Sequence, residues 1–288
     1  MKLIVGLCEG PHDVAFLGRI LLANGFQLDK VRVEEYPMPI NGFIKNAIMR
    51  SAMEVKGIEH GITSYEIPRA IYKKEKTRVC LHAMGGDNRT DLRKNLIDSY
   101  KKMIRGSELE GNTSNIDSIT FLVFYDADDK GVEKRLTEIK DNFCEEYNIE
   151  SKNVSQGRVI PMGDKYKFGC YIFFDSSSPN KTGTLEDIIL NIMRKNDEEI
   201  MKSTESYLGE GRKVLLRDGS NRDKEYDSLE DKYGGSHKYH EKKSIISAAG
   251  QLQFSGMGNN VIILKSDYIK REDIITDSQC KKIGEMFQ

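Results

Sequence analysis

The 288-residue sequence has little of several residue types that mark specialised classes of protein. It contains no tryptophan and only six prolines, and its formal net charge is -1, from 44 lysines and arginines against 45 aspartates and glutamates. The low proline count and a hydrophobic content of 38% exclude a disordered or collagen-like chain. The near-zero net charge excludes a global field that attracts polyanions, so any nucleic-acid contact must use a local basic patch.

Long apolar runs and closely spaced cysteines are also missing. The N-terminal apolar run, Leu3–Leu7, is too short for a signal sequence or a membrane span, and Glu9 follows soon after. The five cysteines lie far apart and include no C-x-x-C pair, which excludes a zinc module of that type and a disulfide framework. We therefore expect a cytoplasmic protein with reduced thiols and no membrane segment.

Apolar runs followed by a turn and then by a helical stripe recur along the chain. Runs of this kind are typical of strands that are buried on both faces of a parallel sheet, with a helix in each crossover. The pattern predicts an α/β fold in which a mostly parallel sheet is flanked by helices. The predicted strands are Lys2–Val5, Val79–Ala83, Ile119–Tyr125 and Cys170–Phe174.

The length predicts one large domain or two small ones, at roughly 150 residues per domain. We predict a core at residues 1–200 and a C-terminal extension at residues 201–288 that packs on it. An insertion at about residues 34–76 interrupts the core and carries a helix around Phe43–Met53. The extension is predicted to contain a charged, flexible loop at Gly209–Tyr239, a helix at Lys242–Gln253 and a last strand at Val261–Leu264.

Acidic residues stand where the predicted strands end. Glu9 follows the first strand, Asp126 and Asp128 follow the third, and Glu186 opens the helix after the fourth. Ligands of parallel sheets gather at this edge, so the four carboxylates are predicted to converge. Asp126 and Asp128 are two positions apart and point the same way in an extended strand end. Clustered carboxylates repel one another unless a cation neutralises them, which indicates Mg²⁺ or Mn²⁺ and metal-dependent phosphoryl chemistry.

Other interpretations of the acids were weighed against this one. A single acid at a strand end is commonly a turn former or a helix cap. The D-A-D-D-K-G run imitates a calcium loop, but Thr137 stands where that loop needs glutamate. An aspartyl-phosphate phosphatase would need threonine or valine where Lys130 stands. The chain also has no G-x-x-x-x-G-K-[ST] loop, so any ATPase activity must be supplied in trans.

Two segments together resemble a known domain. The N-terminal L-I-V-G-L-C-E-G-P-H-D-V-A-F-L and the later F-L-V-F-Y-D-A-D-D-K-G resemble the Toprim domain of topoisomerases, primases and related nucleases. H-A-M-G-G-D looks like the glycine turn after the second strand of that domain. G-T-L-E-D, at Gly183–Asp187, resembles a motif of small uncharacterised Toprim proteins related to the OLD-family nucleases. The resemblance covers about Met1–Arg194 without the insertion.

This resemblance implies a Toprim-like (Rossmann-like) fold and a Mg²⁺-dependent nuclease acting on DNA or RNA. It implies that Asp126 and Asp128 bind the metal and that Glu9 binds metal or shuttles a proton. Glu186 would help to bind a second metal ion. Lys243, with Lys242 as the alternate, would approach the scissile phosphate, whereas a solvated helix start is the other interpretation of both lysines.

Two glycines and two groups of basic residues are further candidates. Gly10 would let the backbone pass close to a phosphate and Gly131 would let the loop turn into its helix, and ordinary turn geometry is the alternative for both. A basic lip for nucleic acid could come from Lys73, Lys74, Lys76 and Arg78 or from the region Lys238–Lys243.

Three functions follow from these features. The first is the metal-dependent nuclease. The second is a non-catalytic or partner-activated nucleic-acid-binding subunit of a defence or repair complex, with an ATPase as a possible companion. The third is small-molecule phosphoryl or nucleotidyl transfer. The sequence leaves the nucleic acid, its strandedness and the oligomeric state open.

Overall fold

The computed structural model describes residues 1–54, 64–109, 116–219, 225–234 and 240–288. They form two compact units, of which the first comprises Met1–Leu185 with Ile274–Gln288 and the second Glu186–Asp273. The predicted boundary at residue 200 therefore lies inside the second unit. The C-terminal end of the chain belongs to the first unit instead of forming part of a separate extension.

The first unit is built on one sheet, which has seven strands in the described part of the chain. Four neighbouring strands pair in parallel in the middle of the sheet, and the pairings towards both edges are antiparallel. The strands are β1 (Lys2–Cys8), β2 (Gln27–Leu28), β3 (Ala70–Lys74), β4 (Thr77–Ala83), β5 (Ser118–Asp126), β6 (Val159–Pro161) and β7 (Tyr166–Phe173), in the spatial order β2-β3-β4-β1-β5-β7-β6. This is the mixed α/β fold, with a mostly parallel sheet, that the sequence predicts.

Helices occupy the crossovers of the first unit and dominate the second. In the first unit they are α1 (Pro11–Ala23), α2 (Ile40–Glu54), α3 (Thr90–Leu109), α4 (Val132–Phe143) and α11 (Ser278–Glu285). The helices that lie between α4 and α11 in the chain, and that make up most of the second unit, are α5 (Leu185–Asn196), α6 (Glu198–Leu216), α7 (Leu229–Tyr233), α8 (Glu241–Gln251), α9 (Asn259–Lys265) and α10 (Arg271–Thr276). Within the described residues, none of the helices is both long and apolar enough to cross a membrane.

The strand order contains a reversal at β1. The chain moves from β1 to β4 on one side, and then returns across β1 to β5 and β7 on the other. The helices that follow β1 and β5 leave a crevice at such a switch point, outside the carboxyl ends of the strands. Glu9 follows the end of β1 and Asp126 ends β5, so both acids stand at this crevice.

The centre of the sheet is apolar on both faces, as parallel strands between helix layers require. Leu3, Ile4 and Val5 are fully buried, and β5 is buried from Ile119 to Tyr125. The C-terminal helix covers one part of this surface, where the Phe287 ring stacks on Phe124 with centroids 6.2 Å apart. Burying a phenylalanine side chain stabilises a fold by about 2 kcal/mol, so residues near the C-terminus contribute to the sheet core.

Three local predictions differ from the structure. The run Val261–Leu264, predicted as a strand, lies in α9, where Gly258 caps the helix and Ile262 and Ile263 are buried. A short apolar run suits a buried helix as well as a strand, and periodicity alone does not separate them. The stretch predicted as a flexible loop at Gly209–Tyr239 begins inside α6, and the insertion at residues 34–76 supplies strand β3 as well as the predicted helix.

Candidate functional site

The ends of β1 and β5 are joined by a side chain. The main-chain N–H of Asp126 donates a hydrogen bond of 3.0 Å to Glu9 Oε1. These residues are 117 positions apart in sequence, and the parallel pairing of β1 with β5 brings them together. The structure therefore brings the Glu9 carboxylate to the main chain of Asp126, and the predicted convergence of the carboxylates around a cation stays a prediction.

The glycine turn after β4 encloses the main chain of Glu9. The N–H groups of Gly85 and Gly86 donate to the Glu9 carbonyl oxygen at 2.9 and 3.0 Å. Arg93 holds the turn from α3, because its guanidinium donates to the carbonyl oxygens of Gly86 and Asp87. The Arg93 side chain is fully buried, and its guanidinium lies 4.5 Å from the centre of the Tyr125 ring.

The surroundings of Glu9 strongly alter its protonation. The pKa of the Glu9 carboxyl is raised to about 7, chiefly by burial, and the nearby acids Asp13 and Asp87 act in the same direction. The hydrogen bond from Asp126 N–H and the charge of Arg93 act in the opposite direction but do not cancel the effect of burial. A carboxyl group with a pKa near neutrality can exchange a proton under physiological conditions.

Asp126 is held from the other side by the start of α5. Its Oδ1 accepts a hydrogen bond of 2.7 Å from the N–H of Leu185. The loop that brings Leu185 there is ordered internally, because Asp175 N–H donates to the Thr182 carbonyl oxygen and the hydroxyls of Ser178 and Thr182 lie 2.7 Å apart. The Leu185 N–H therefore sets the direction of the Asp126 carboxylate, and Glu9 binds the main chain of the same residue.

Asp128 lies beyond the strand in a different backbone conformation. Its φ is +47°, and it forms paired main-chain hydrogen bonds with Gly183, at 2.8 and 2.9 Å. The prediction that Asp126 and Asp128 point the same way assumed an extended backbone, and this turn removes that premise. The two residues are instead related through Arg135, which contacts the carbonyl oxygen of one and the carboxylate of the other.

Arg135, on α4, gathers three acids around one guanidinium. Nη2 donates to Asp128 Oδ2 at 2.5 Å and to Asp87 Oδ2 at 3.0 Å, and Nη1 donates to Glu138 Oε2 at 3.0 Å. Nε donates to the Asp126 carbonyl oxygen at 2.9 Å. Burial alone would lower the pKa of Arg135, but these acids outweigh it and keep the group charged. For Asp87, burial acts to raise the pKa of the carboxyl. The hydrogen bond and charge of Arg135 outweigh burial, so the pKa of Asp87 is lowered.

The two candidate phosphate-binding glycines differ in what their positions require. Gly10 is extended, with φ at -146°, and a Cβ there would meet nothing within 4 Å. Its N–H donates to Asp13 Oδ2 at 2.9 Å, so in this structure Asp13 occupies the donor that a phosphate would use. Gly131 has φ at +80°, and a Cβ would come within 2.9 Å of the Asn180 carbonyl oxygen. Backbone geometry and close packing therefore account for Gly131.

The donor atoms of the crevice suit a hard cation, since carboxylate oxygens are the ligands that Mg²⁺ and Mn²⁺ prefer. The guanidinium of Arg135 already supplies positive charge to Asp87 and Asp128, which indicates that these acids need a cationic neighbour. Among the residues that the structure describes, no three histidine, cysteine, aspartate or glutamate side chains form a group arranged to hold a metal ion. The oxygen atoms of the site therefore match the ligands of a divalent cation, and the binding of such a cation stays a prediction.

Two further candidates lie in the second unit, where they pair with each other. Glu186 is buried, and its Oε1 is 3.7 Å from Lys243 Nζ. The adjacent pair, Lys242 and Asp187, has an Nζ to Oδ2 distance of 2.6 Å. Both lysines thus form ion pairs at the start of α8 while their side chains remain 45% and 47% exposed. The prediction that Glu186 joins Glu9, Asp126 and Asp128 around metal remains a prediction.

The predicted basic lip is partly neutralised within the protein. Lys73 and Arg78 both pair with the buried carboxylate of Asp29, at 2.8 and 3.1 Å. Lys74 donates to the Asn24 carbonyl oxygen. The other predicted basic region begins at Lys238, which lies outside the described residues. A nucleic-acid contact would have less free positive charge at the β3–β4 hairpin than the sequence suggests.

Comparison with known families assigns the sequence to one of them. Residues 4–226 match the model of a family described as "Protein of unknown function (DUF3226)", which is more than half of the chain. The chain belongs to the DUF3226 family. The matched region includes Glu9, Asp126, Asp128 and Glu186, and Lys243 lies beyond it.

A solved structure and the curated proteins add little to the family assignment. The DUF3226 chain is similar to the crystal structure of hypothetical protein PH0156 from Pyrococcus horikoshii OT3, with 17% identity and a TM-score of 0.49. The similarity covers 99% of this chain and 95% of that one. No curated protein matches the sequence significantly.

Arg93, Arg135 and Asp87 are site residues that sequence reasoning missed. Arg135 lies three residues after Val132 and directly before Leu136, both of which are buried apolar residues of α4. It therefore stands on or beside the buried face of that helix. A basic residue at a buried helix position just after an acidic loop was the available signal for an internal counter-ion. No comparable signal pointed to Arg93, because its partners are main-chain carbonyls.

Proposed function

We propose that this DUF3226 protein is a divalent-metal-dependent phosphodiesterase with a Toprim-like core, acting on DNA or RNA. One observation carries the proposal: the Asp126 N–H binds Glu9 Oε1 at the switch point of a parallel sheet. This juxtaposition agrees with the acid order of the Toprim domain, with Glu9 after the first parallel strand and the D-A-D segment after the third. The switch-point crevice is also where open α/β sheets bind their ligands.

Glu9, Asp126 and Asp128 are the residues that would hold the cation. A bound Mg²⁺ or Mn²⁺ supplies charge neutralisation for a phosphodiester and lowers the pKa of bound water. The carboxyl of Glu9, with its pKa near 7, is suited to hold or release a proton at the reacting group. Asp126 contributes a carboxylate whose direction is set by the Leu185 N–H.

The resemblance also supports a contribution from the second unit. Glu186 and Lys243 form an ion pair there, with 3.7 Å between Oε1 and Nζ. In the proposed enzyme Glu186 takes part in binding a second metal ion, and Lys243 approaches the scissile phosphate. Both roles rest on the resemblance alone.

The test is cleavage of labelled DNA and RNA, single- and double-stranded, with Mg²⁺ or Mn²⁺ and with EDTA. Glu9→Gln and Asp126→Asn keep an oxygen acceptor for the N–H groups that these side chains bind, so the fold is preserved. We expect each variant to lose activity by about 10²- to 10⁴-fold, the range for loss of a positioned acid or base. The exposed Glu145→Gln serves as the control and keeps full activity. Unchanged cleavage by both site variants would contradict the proposal.

One observation favours a second function, in which the chain is active only with a partner. In the described residues the acids are not assembled into a metal group, and Asp128 is engaged by Arg135. A companion ATPase could supply the rearrangement. This alternative predicts that the isolated chain is inert with every substrate, and that it co-elutes with the companion in gel filtration and cleaves only in the complex.

A further inference from the structure

Arg135 occupies the centre of the charged network around the acidic loop. Its side chain is 5% exposed and donates to Asp87, Asp128, Glu138 and the Asp126 carbonyl oxygen. These bonds tie the turn after β4 to the loop after β5. The guanidinium therefore directs its donors to four acceptors in this part of the first unit.

Arg135 and a divalent cation would compete for the carboxylate of Asp128. Its Oδ2 is held at 2.5 Å by Arg135 Nη2, whereas a divalent cation binds carboxylate oxygen directly. A guanidinium and a metal ion have the same sign and would repel each other if both approached the same carboxylate oxygen. The pair is partly buried on the arginine side, so the repulsion is less screened there than in water.

We propose that Arg135 is the resident counter-ion of the acidic loop, and that a divalent cation must take Asp128 from it in order to bind. This inference rests on the proposed metal-dependent function. It assigns Arg135 a positioning role, since it neutralises Asp87 and Asp128 and holds their loops together while the cation is away. Removing the guanidinium then frees Asp128 and tightens cation binding.

The experiment is a titration of the full chain with Mn²⁺, with free Mn²⁺ measured by electron paramagnetic resonance. We expect Arg135→Gln to bind Mn²⁺ at least about tenfold more tightly than the wild type, the equivalent of releasing one charge-assisted hydrogen bond. Lys130→Gln is the matched control. Lys130 pairs with Glu138 at 3.0 Å, and its substitution removes the same positive charge as Arg135→Gln. We expect its effect to stay below about threefold, as for an exposed charge in water.

A double variant identifies the oxygen involved. Adding Asp128→Asn to Arg135→Gln removes the competed carboxylate, so the gain in affinity disappears if it acts through Asp128. Unchanged or weaker Mn²⁺ binding by Arg135→Gln overturns the inference, and so does an equal gain in Lys130→Gln, which would indicate a general field effect. If the wild type and Arg135→Gln bind Mn²⁺ with the same affinity, this inference is refuted and the proposed metal site is not. Absence of binding in both proteins refutes it together with the proposed metal site.

Arg135 is buried, so circular dichroism and a melting curve accompany each titration. If Arg135→Gln does not fold, Arg135→Lys takes its place. Lysine keeps the charge but lacks the planar fork that reaches several acids at once. We expect Mn²⁺ affinity to rise by at least about threefold in this variant, because one ammonium cannot hold Asp87, Asp128 and Glu138 together. Unchanged affinity in Arg135→Lys would overturn the inference.

Discussion

Replacing Glu9 with glutamine removes a half-buried acid while keeping the oxygen that accepts the Asp126 N–H. Burial raises the Glu9 pKa from 4.5 to about 7, so the folded protein holds a proton that the unfolded chain has already lost. The contribution of Glu9 to stability is therefore fully present below pH 4.5 and is lost as the pH rises through about 7. Glu9→Gln does not titrate and lacks this loss.

The magnitude follows from the size of the shift. A difference of roughly 2.5 pKa units, at about 1.36 kcal/mol for each unit, corresponds to roughly 3 kcal/mol. We expect the free energy of unfolding of Glu9→Gln, relative to wild type, to increase by up to about this amount between pH 4.5 and pH 8. Most of the change falls between pH 5 and pH 7.

The wild-type pH profile alone does not reveal this effect, because His82 acts in the opposite direction. Burial lowers the pKa of His82 from 6.5 to about 4, and the ring lies within hydrogen-bonding distance of the Tyr65 carbonyl oxygen and the Tyr100 hydroxyl. The His82 contribution is present above pH 6.5 and is lost as the pH falls towards 4. The two slopes overlap, so the difference between variants is the quantity to measure.

The assay is urea denaturation in EDTA at half-unit steps from pH 4.5 to pH 8, followed by circular dichroism. Glu145→Gln, an exposed position, is the control and should run parallel to the wild type at every pH. A Glu9→Gln difference that does not change with pH would refute the reasoning, because it would mean that the Glu9 carboxyl is ionised equally easily in the folded and unfolded states.

Two further predictions concern the framework of the site. Gly131→Ala, with φ at +80° and a Cβ 2.9 Å from the Asn180 carbonyl oxygen, should destabilise the protein by at least about 2 kcal/mol in urea denaturation. Gly10→Ala, which meets open space, should cost less than about 1 kcal/mol, and equal losses would contradict the packing argument. Arg93→Ala removes a fully buried guanidinium and its hydrogen bonds to the Gly86 and Asp87 carbonyls, and should lower the free energy of unfolding by about 3 kcal/mol. The exposed Arg89→Ala should change it by less than about 0.5 kcal/mol, and an equal effect of the two would refute the role of Arg93.

The layered α/β fold was predictable because buried parallel strands are continuous apolar runs. Ile119–Tyr125 lies within β5, and Val79–Ala83 lies within β4. Strand β3 was missed because it is an outer strand of the sheet with lysines at its end, which resembles a polar loop in sequence. The helical character of Val261–Leu264 could not be derived from four apolar residues, since it depends on packing within the second unit.

The candidate site was predictable as a set of strand ends and not as a set of contacts. The position of Glu9 beside Asp126 follows from parallel strands that end at the same edge. The turn at Asp128 and its pairing with Gly183 depend on a loop that is distant in sequence. The same is true of Arg135, because a guanidinium on α4 finds its partners only after both loops have folded. Local spacing carries no information about such contacts.

The most direct test of the central claim is diffraction from crystals of the full chain grown with Mn²⁺, measured at a wavelength where manganese scatters anomalously. The account predicts an anomalous peak in the crevice within bonding distance of Glu9 or Asp126, with Asp128 turned away from Arg135. A crystal saturated with Mn²⁺ that shows no peak at these carboxylates, or shows one only elsewhere on the protein, would contradict it.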